Sequence, residues 1–405
     1  MRLLLVAPSI SYRVEAFLDA ARAVGCQVTV ASDAVSAIPG AALSVAFDDP
    51  GGAAARLAAM VGPVDGVVGT DGDAVVVAAE LARLSGLPAN PPAAMTAAND
   101  KHLQRLAGAR SGVPQPEFVL VEGEEFADWS MLPVVVKPLQ RSGSQGVIRA
   151  DTPFQAGAAV RRVRRIVGDG QPGPVAGTAK RISTPPPVLV ERFVPGMEVA
   201  VEGLLRAGRL EVLAVFDKPD TPEGPTFPET LLVSPARLRA EARARVLAVA
   251  ERACAALGLV EGPVHVECKV DGSTVWFLEL AARTIGGLCS RALLPGGVRL
   301  EELVVRHALG LPSPRLSTPE QARGVLMLPV ASTGRLDRVR GVAAARAVDG
   351  VSEVVVCVGP GQGVVALPEG DRYLGFVFAQ AATADRVEAA LREAWSALEV
   401  DITAS

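Results

Sequence analysis

Nowhere in this chain do apolar residues run unbroken for the roughly 18 positions that a helix needs to cross a bilayer. That argues against a membrane span, although the mean hydropathy of +0.32 is high for a soluble protein. The excess comes from Ala, Val and Leu in short runs broken by Gly, Pro or Arg. The opening MRLLLVAPSI is a short apolar run with Tyr12, Arg13 and Glu15 close behind, so it reads as a first β-strand rather than a leader. Cysteine is sparse. Cys26, Cys254, Cys268, Cys289 and Cys357 show no metal-ligand spacing and read as free thiols of a reducing cytoplasm. His102, His265 and His307 are equally scattered, and they build neither a zinc site nor a Ser-His-Asp triad. No excess of positive charge exists either: the formal net charge is −4, which argues against nucleic acid as a partner. Two phosphate-binding signatures are missing as well. The first strand runs into Ala7-Pro8-Ser9 where a dinucleotide fold carries its glycine fingerprint. No Gly-Lys-Ser/Thr opens a helix.

Lysine is the most telling scarcity. Of 40 basic residues only five are lysine: Lys101, Lys137, Lys180, Lys218 and Lys269. Arginine supplies the general positive charge, so a lysine here is a candidate for a compact point charge on a phosphate.

The length of 405 residues suits two or three domains. Residues 1–95 alternate strands with helices: strands at 3–7, 27–31 and 66–68, helices at 14–24 and 74–84. That order implies a parallel sheet covered on both faces. A helix is expected over 99–112, closed by Gly112, Pro114 and Pro116. Residues 168–187 are rich in Gly, Pro, Ser and Thr and read as a loop, its order left open by the sequence. Further strands are expected at 118–121, 134–137, 188–192 and 198–205, and a long helix at 235–257. From about 320 onward the pattern suits a small α+β unit.

Three segments carry chemistry. In LPVVVKPLQRSGSQGV, residues 132–147, a strand ends at Lys137, and Ser142, Gly143, Ser144 and Gly146 follow in a loop. Glycines free backbone N–H groups to turn toward an anion, serines add donors, and the lysine adds charge. In VLVERFVPGMEVAVEGL, residues 188–204, two strands flank Pro195-Gly196, with Glu191 and Glu198 framing the turn. Such a hinge can read an adenine edge while a carboxylate takes the ribose. In VHVECKVDGSTVWFLELAARTIGG, residues 264–287, Glu267 and Glu279 lie on two strands joined by Asp271-Gly272. Two carboxylates on one face, with phosphate oxygens, make an oxygen-only site suited to Mg²⁺. Each segment alone is equally compatible with an ordinary hairpin.

Together, in this order and at this spacing, the three segments resemble the ATP-grasp superfamily. NPPAAMTAANDKHLQRLAGARSGVPQPEF, residues 90–118, resembles it too, with Lys101 opening a helix and Gly-x-Pro-x-Pro closing it. The resemblance covers about 60–310. The runs ELAARTIGGLCSRALL and FDKPDTPEGPTFPETLLVSP, and the small C-terminal unit, look more like the L-amino acid ligases, which form dipeptides, than like the carboxylases.

The resemblance implies an α/β and α+β multidomain fold. An N-terminal parallel-sheet domain (1–95) would precede the ATP-grasp domain (96–310, with a lid subdomain in 118–204) and a C-terminal α+β subdomain (311–405). It implies ATP and Mg²⁺, with Mn²⁺ as a substitute, and two small-molecule substrates, a carboxylate and an amine. Lys101 and Lys137 would contact phosphates, and Ser142, Gly143, Ser144 and Gly146 would belong to the loop that closes over them. Glu191, Arg192, Phe193 and Val194 would form the adenine hinge, and Glu198 would hold the ribose. Glu267 and Glu279 would ligate the metal, while Arg283, Lys218 and Glu229 would serve the reacting groups. Ala281 stands where most members carry a metal-binding Asn, so one ion is expected and a second stays open; in the amino-acid ligases that Asn is also often absent. Two alternatives remain at this point: a bicarbonate- or formate-using enzyme of the same fold, including the purine-pathway type, and an ATP-binding protein without catalysis. A cytoplasmic location is expected; the oligomeric state stays open, a homodimer being one assembly common in the family.

Overall fold

The structure is a computed structural model describing residues 1–404 except 10, 35–40, 124–128, 169–184, 221–223, 294–296 and 317–320. Most of the loop expected at 168–187 therefore lies outside the described residues.

The chain opens with β1 (Arg2–Val6), α1 (Val14–Ala23), β2 (Gln27–Ser32), β3 (Ala41–Ser44), α2 (Pro50–Val61), β4 (Gly66–Gly69) and α3 (Ala74–Leu84). The four strands form a parallel sheet in the order β3-β2-β1-β4. The apolar run Leu3–Val6 is fully buried because helices cover both faces of the sheet. Asp49 caps α2 by accepting from the Gly52 N–H, with Pro50 at the first helical position.

Two helices follow, α4 (Pro92–Ala98) and α5 (Lys101–Arg110). The single helix expected over 99–112 is thus shorter and preceded by another. Asp100 is the reason: its carboxylate accepts from the N–H groups of His102 and Leu103 and starts a new helix with Lys101 as its first residue.

A lid is built from β5 (Phe118–Val121), β6 (Val134–Pro138), β7 (Ile148–Ala150), α6 (Pro153–Gly168) and β8 (Val188–Arg192), with sheet order β5-β8-β6-β7. Its own small core packs Val134, Val136, Val160, Val163, Val188 and Val190.

The central sheet takes β9 (Met197–Arg206), β10 (Arg209–Lys218), β11 (Leu231–Ser234), β12 (Gly262–Asp271) and β13 (Thr274–Ala281), with α7 (Ala240–Ala256) and α8 (Leu300–Ala308) against it. The C-terminal residues add β14 (Ala322–Leu328), β15 (Gly334–Arg340), α9 (Val342–Ala347), β16 (Val351–Val356), β17 (Gly363–Val364), β18 (Gly375–Ala381), α10 (Ala384–Ala397) and β19 (Glu399–Thr403).

This topology adds two points to the reading of the sequence. The strands flanking Pro195-Gly196 are not a hairpin: β8 pairs within the lid and β9 pairs with β10 and β12, so the chain passes between sheets at that turn. The lid sheet ends at Arg192. The C-terminal segment is not a free-standing unit either. Its β14, β18 and β16 complete an eight-stranded sheet, β13-β12-β9-β10-β11-β14-β18-β16, while β15, β17 and β19 form a separate three-stranded one. Among the described residues no helix is long and apolar enough to cross a membrane.

Candidate active site

A strand shows alternate residues to opposite faces. On β12, Val264, Val266 and Cys268 are buried in the core against α7, so His265, Glu267 and Lys269 point the other way. The same alternation on β9 sets Glu198, Ala200 and Glu202 against buried Val199 and Val201. Register then lines these residues up: Glu202 opposite His265, Ala200 opposite Glu267, Glu198 opposite Lys269, and on the other flank Glu198 opposite Lys218. Glu279 on β13 pairs directly with Glu267. Directly opposed residues share a face, so the two carboxylates project together, brought opposite each other by a bulge between Glu267 and Cys268.

This charged face forms one wall of a cavity of about 880 Å³. The cavity is also lined by the lid, the start of α5, the ends of β1, β2 and β4, and Tyr373 from the C-terminal segment. Four of the five lysines line it: Lys101, Lys137, Lys218 and Lys269. Of the residues expected at the site, all but Gly146 line this cavity.

The electrostatics are closely paired. Lys218 sits among three carboxylates, with Nζ 2.6 Å from Glu198, 2.8 Å from Glu229 and 3.0 Å from Glu267. Burial opposes its charge, yet the three acids outweigh burial and hold the ammonium well above its ordinary value. Glu267 responds in kind: burial raises it, but Lys218 and His265 hold it well below the usual carboxylate range. His265 bridges Glu202 (3.0 Å from Nδ1) and Glu267 (3.3 Å from Nε2). Burial lowers it, and the two acids overcome that and bring it up to about 9. Lys101 donates to Glu279 at 2.9 Å and to the Arg141 carbonyl at 2.7 Å.

Glu191 is placed differently from expectation. Its carboxylate is buried beneath the hinge between Arg105 and Lys137, each at 2.6 Å. The Arg192 side chain pairs outward with Glu117. The N–H groups of Arg192 and Phe193 are spent on the Glu117 and Pro133 carbonyls. Phe193 faces the cavity between two cations, Arg149 at 4.2 Å and Lys269 at 4.7 Å from the ring centroid.

The glycine-rich loop joins β6 to β7. Gly143, Ser144 and Gly146 all have φ near +60 to +72°, the left-handed region that favours glycine. Gly146 is turned away from the cavity, and its N–H is spent on the Pro368 carbonyl at 2.8 Å. Gln145 reaches the Glu369 carbonyl, and Arg162 on α6 grips the Glu369 carboxylate at 2.7 and 2.9 Å. The C-terminal segment thus holds the loop over the cavity. The Arg162–Glu369 pair is half exposed, so Glu369→Ala should cost under about 1 kcal/mol of stability. It should nonetheless accelerate amide exchange over 142–147; exchange unchanged there would contradict the latch.

Some site residues gave no signal of their own. Arg13, fully buried on the N-terminal domain, pairs with Asp71 and donates to the Thr284 carbonyl (2.6 Å), the Thr284 hydroxyl (2.9 Å) and the Ile285 carbonyl (2.9 Å). It fixes the turn that carries Arg283, which lies 3.9 Å from Asp71. His265 was one of three scattered histidines; the signal that finds it is the alternation His265-x-Glu267-x-Lys269. Among the described residues no three His, Cys, Asp or Glu converge as a metal cluster. Glu267 and Glu279, an oxygen-only pair, have the chemistry to hold one Mg²⁺ if phosphate oxygens and water completed its ligands. Ala281 lines the cavity without a donor for a second ion.

Residues 130–292 match the ATP-grasp domain family, and 326–403 match the L-amino acid ligase C-terminal domain 2. The chain is 32% identical over 280 residues to carnosine synthase 1 of Mus musculus, covering 65% of this chain and 33% of that protein. It therefore spans about a third of the length of the carnosine synthases it matches. It is 30% identical over 237 residues to a D-alanine–D-alanine ligase of Citrifermentans bemidjiense, covering 56% of this chain and 71% of that one. An L-amino acid ligase structure from Bacillus licheniformis superposes with a TM-score of 0.79 at 24% identity, covering 99% of this chain and 98% of the other, which speaks to the fold.

Proposed function

The chain belongs to the ATP-grasp ligases, and on that premise we propose that it joins a carboxylic acid to an amine, both small molecules and at least one an amino acid, with ATP converted to ADP and phosphate. The observation that carries this is the directly paired Glu267 and Glu279, each bonded to a lysine, on the wall of a cavity covered by the glycine-rich loop.

The acid's carboxylate oxygen attacks the γ-phosphorus, the bond to ADP breaks, and an acyl phosphate forms. The amine then attacks the acyl carbon, phosphate leaves, and an amide remains. Lys101 and Lys137 hold phosphate oxygens, giving up part of their contact with Glu279 and Glu191 to do so. Lys269 stands beside the hinge, donating to the Val194 carbonyl at 3.1 Å. Val194 offers the adenine contact of the hinge, and Glu198 turns from Lys218 to the ribose. Glu267 and Glu279 would hold Mg²⁺, which when bound would neutralise charge on the transferring phosphoryl group. Arg283, anchored through Arg13, faces the oxyanion that develops on the acyl carbon. Lys218 and Glu229 stand next to that carbon, the ammonium to neutralise charge and the carboxylate to orient the incoming amine. The loop held by Glu369 keeps water from the acyl phosphate.

Phosphate release with MgATP across a matrix of amino-acid pairs, with mass detection of the product, tests the proposal. Release that needs an acid and an amine, with the mass of their amide, is expected. ADP release stimulated by bicarbonate without any amino acid would replace it with the carboxylase alternative. No release above background would favour a non-catalytic ATP-binding protein.

A further inference from the structure

The cavity is chemically divided. One part holds the lysines, the hinge and the paired carboxylates. The other lies beside Arg283 and Glu229 and is lined by Tyr12, Leu232, Ile285, Cys289, Met327 and Tyr373. Its floor is one face of the eight-stranded sheet. Leu232 is opposite Val325 and Met327 is opposite Phe376, so these side chains stand in adjacent rows and form a single buried cluster with Phe378. Tyr12 and Tyr373 rise around that floor, with ring centroids 6.1 and 6.0 Å from Phe376. Gly287 permits this arrangement: a Cβ there would come within 2.9 Å of the Phe376 ring, at a φ of +58°. Ile285 and Cys289 come from the turn and short helix after Arg283. Burial pushes the Cys289 thiol up, so it stays neutral and serves as a small apolar wall.

Five distant parts of the chain therefore contribute side chains to one patch, and none of the six is charged. A charged substituent laid on it would lose water and gain no ionic partner from the floor. The charges beside the patch are Arg283, Asp71 and Glu229, which match the carboxylate and ammonium that every amino acid carries, with Asp371 and Arg372, of opposite sign and adjacent in the chain, at its edge next to Tyr373.

We infer that one of the two joined substrates is an amino acid with an apolar side chain, seated on Leu232 and Met327, and that Met327 sets the size it accepts. This rests on the ligase reading proposed above and narrows it. One methylene more or less in such a pocket changes kcat/KM by about 10–200-fold, so the effect of resizing Met327 is measurable.

The test has two arms. In the first, kcat/KM is measured for Leu, Met and Phe against Glu and Lys at the same substrate position, in the wild type, Met327→Leu and Met327→Ala. The apolar set should exceed the charged set by at least about tenfold. Met327→Leu should keep the ranking, and Met327→Ala should move it toward Phe over Leu by about tenfold. In the second arm, binding of Leu and of Glu is measured by calorimetry with a non-hydrolysable ATP analogue and Mg²⁺, so the inference is decided even without turnover. Leu binding that exceeds Glu binding, and that weakens in Met327→Ala, supports it. Equal use or binding of Glu and Leu, or a ranking indifferent to Met327, overturns the apolar subsite while leaving the ligase reading intact. Absence of phosphate release with every pair would strike the ligase reading instead, and calorimetry would still judge the subsite. Leu232→Ala serves as the second variant should Met327→Ala fail to fold.

Discussion

Replacing Glu279 with alanine should lower phosphate release at least about 10³-fold while leaving thermal stability within a few degrees of wild type. The two halves of that statement have separate causes. The carboxylate is 32% exposed at the rim of its strand, so its removal opens no cavity in the core. Its partner Lys101 keeps a second acceptor in the Arg141 carbonyl and is not stranded. Catalysis has no such reserve. Glu267 is the only other carboxylate on that face paired to it, and Ala281 offers no donor. Under the proposed metal assignment, loss of one of the two carboxylates removes charge stabilisation worth several kcal/mol at the phosphoryl group. The measurement is phosphate release beside a melting curve. Turnover near wild type would refute the metal assignment, and a collapsed melt would show that Glu279 serves the fold.

Glu191→Gln is the second large effect, and its weight falls first on stability. Glu191 is 2% exposed between Arg105 at 1% and Lys137 at 12%. A neutral amide leaves two buried cations facing each other without their counter-charge, which costs about 3–5 kcal/mol. The pH dependence follows from the same cluster. Burial raises the Glu191 carboxyl, but Arg105 and Lys137 outweigh it and draw it down to about 2 from an ordinary 4.5. The unfolded chain therefore takes up this proton first on acidification. The stabilisation is present in full above about 4.5 and is lost as pH falls toward about 2. Urea unfolding of the wild type should show that acid-side loss, and Glu191→Gln should flatten it. A variant with wild-type stability at neutral pH would show that the three groups are not coupled. Phosphate affinity should weaken as well, because Lys137 loses the carboxylate that positions it.

The residues on strands were legible in the sequence to different depths. The regular register of the turn sets Glu267 opposite Leu278, and only a bulge between Glu267 and Cys268 brings Glu279 opposite it; that the two acids lie on joined strands could be read from Asp271-Gly272. The burial of Glu191 could not. Its strand looks like half of a hairpin with Glu198, and only the sheet membership of β8 reveals that its side chain drops between Arg105 and Lys137. Lys101 was visible as a lone lysine, whereas the helix break that presents it came from Asp100 acting as a cap within one apparent helix. Arg13 was hidden among many arginines: its role depends on contacts with residues 284 and 285, some 270 positions away, and no local pattern encodes such a separation. Gly146 shows the converse. Its left-handed backbone was foreseeable, but its N–H is committed to a proline carbonyl contributed by the far end of the chain.

The concentration of lysines in one cavity has a practical meaning for chemistry done on the protein from outside. Amine-directed reagents find few targets on this chain: Met1 at the amino terminus, Lys180, and the four cavity lysines, of which Lys101 is 7% exposed. Acylation of Lys101, Lys137, Lys218 and Lys269, read peptide by peptide in a mass spectrometer, would report how open the cavity stands. Nucleotide should protect these positions, and Glu369→Ala should expose them. A chain whose positive charge is almost wholly arginine thus turns an ordinary labelling reaction into a probe of a single site.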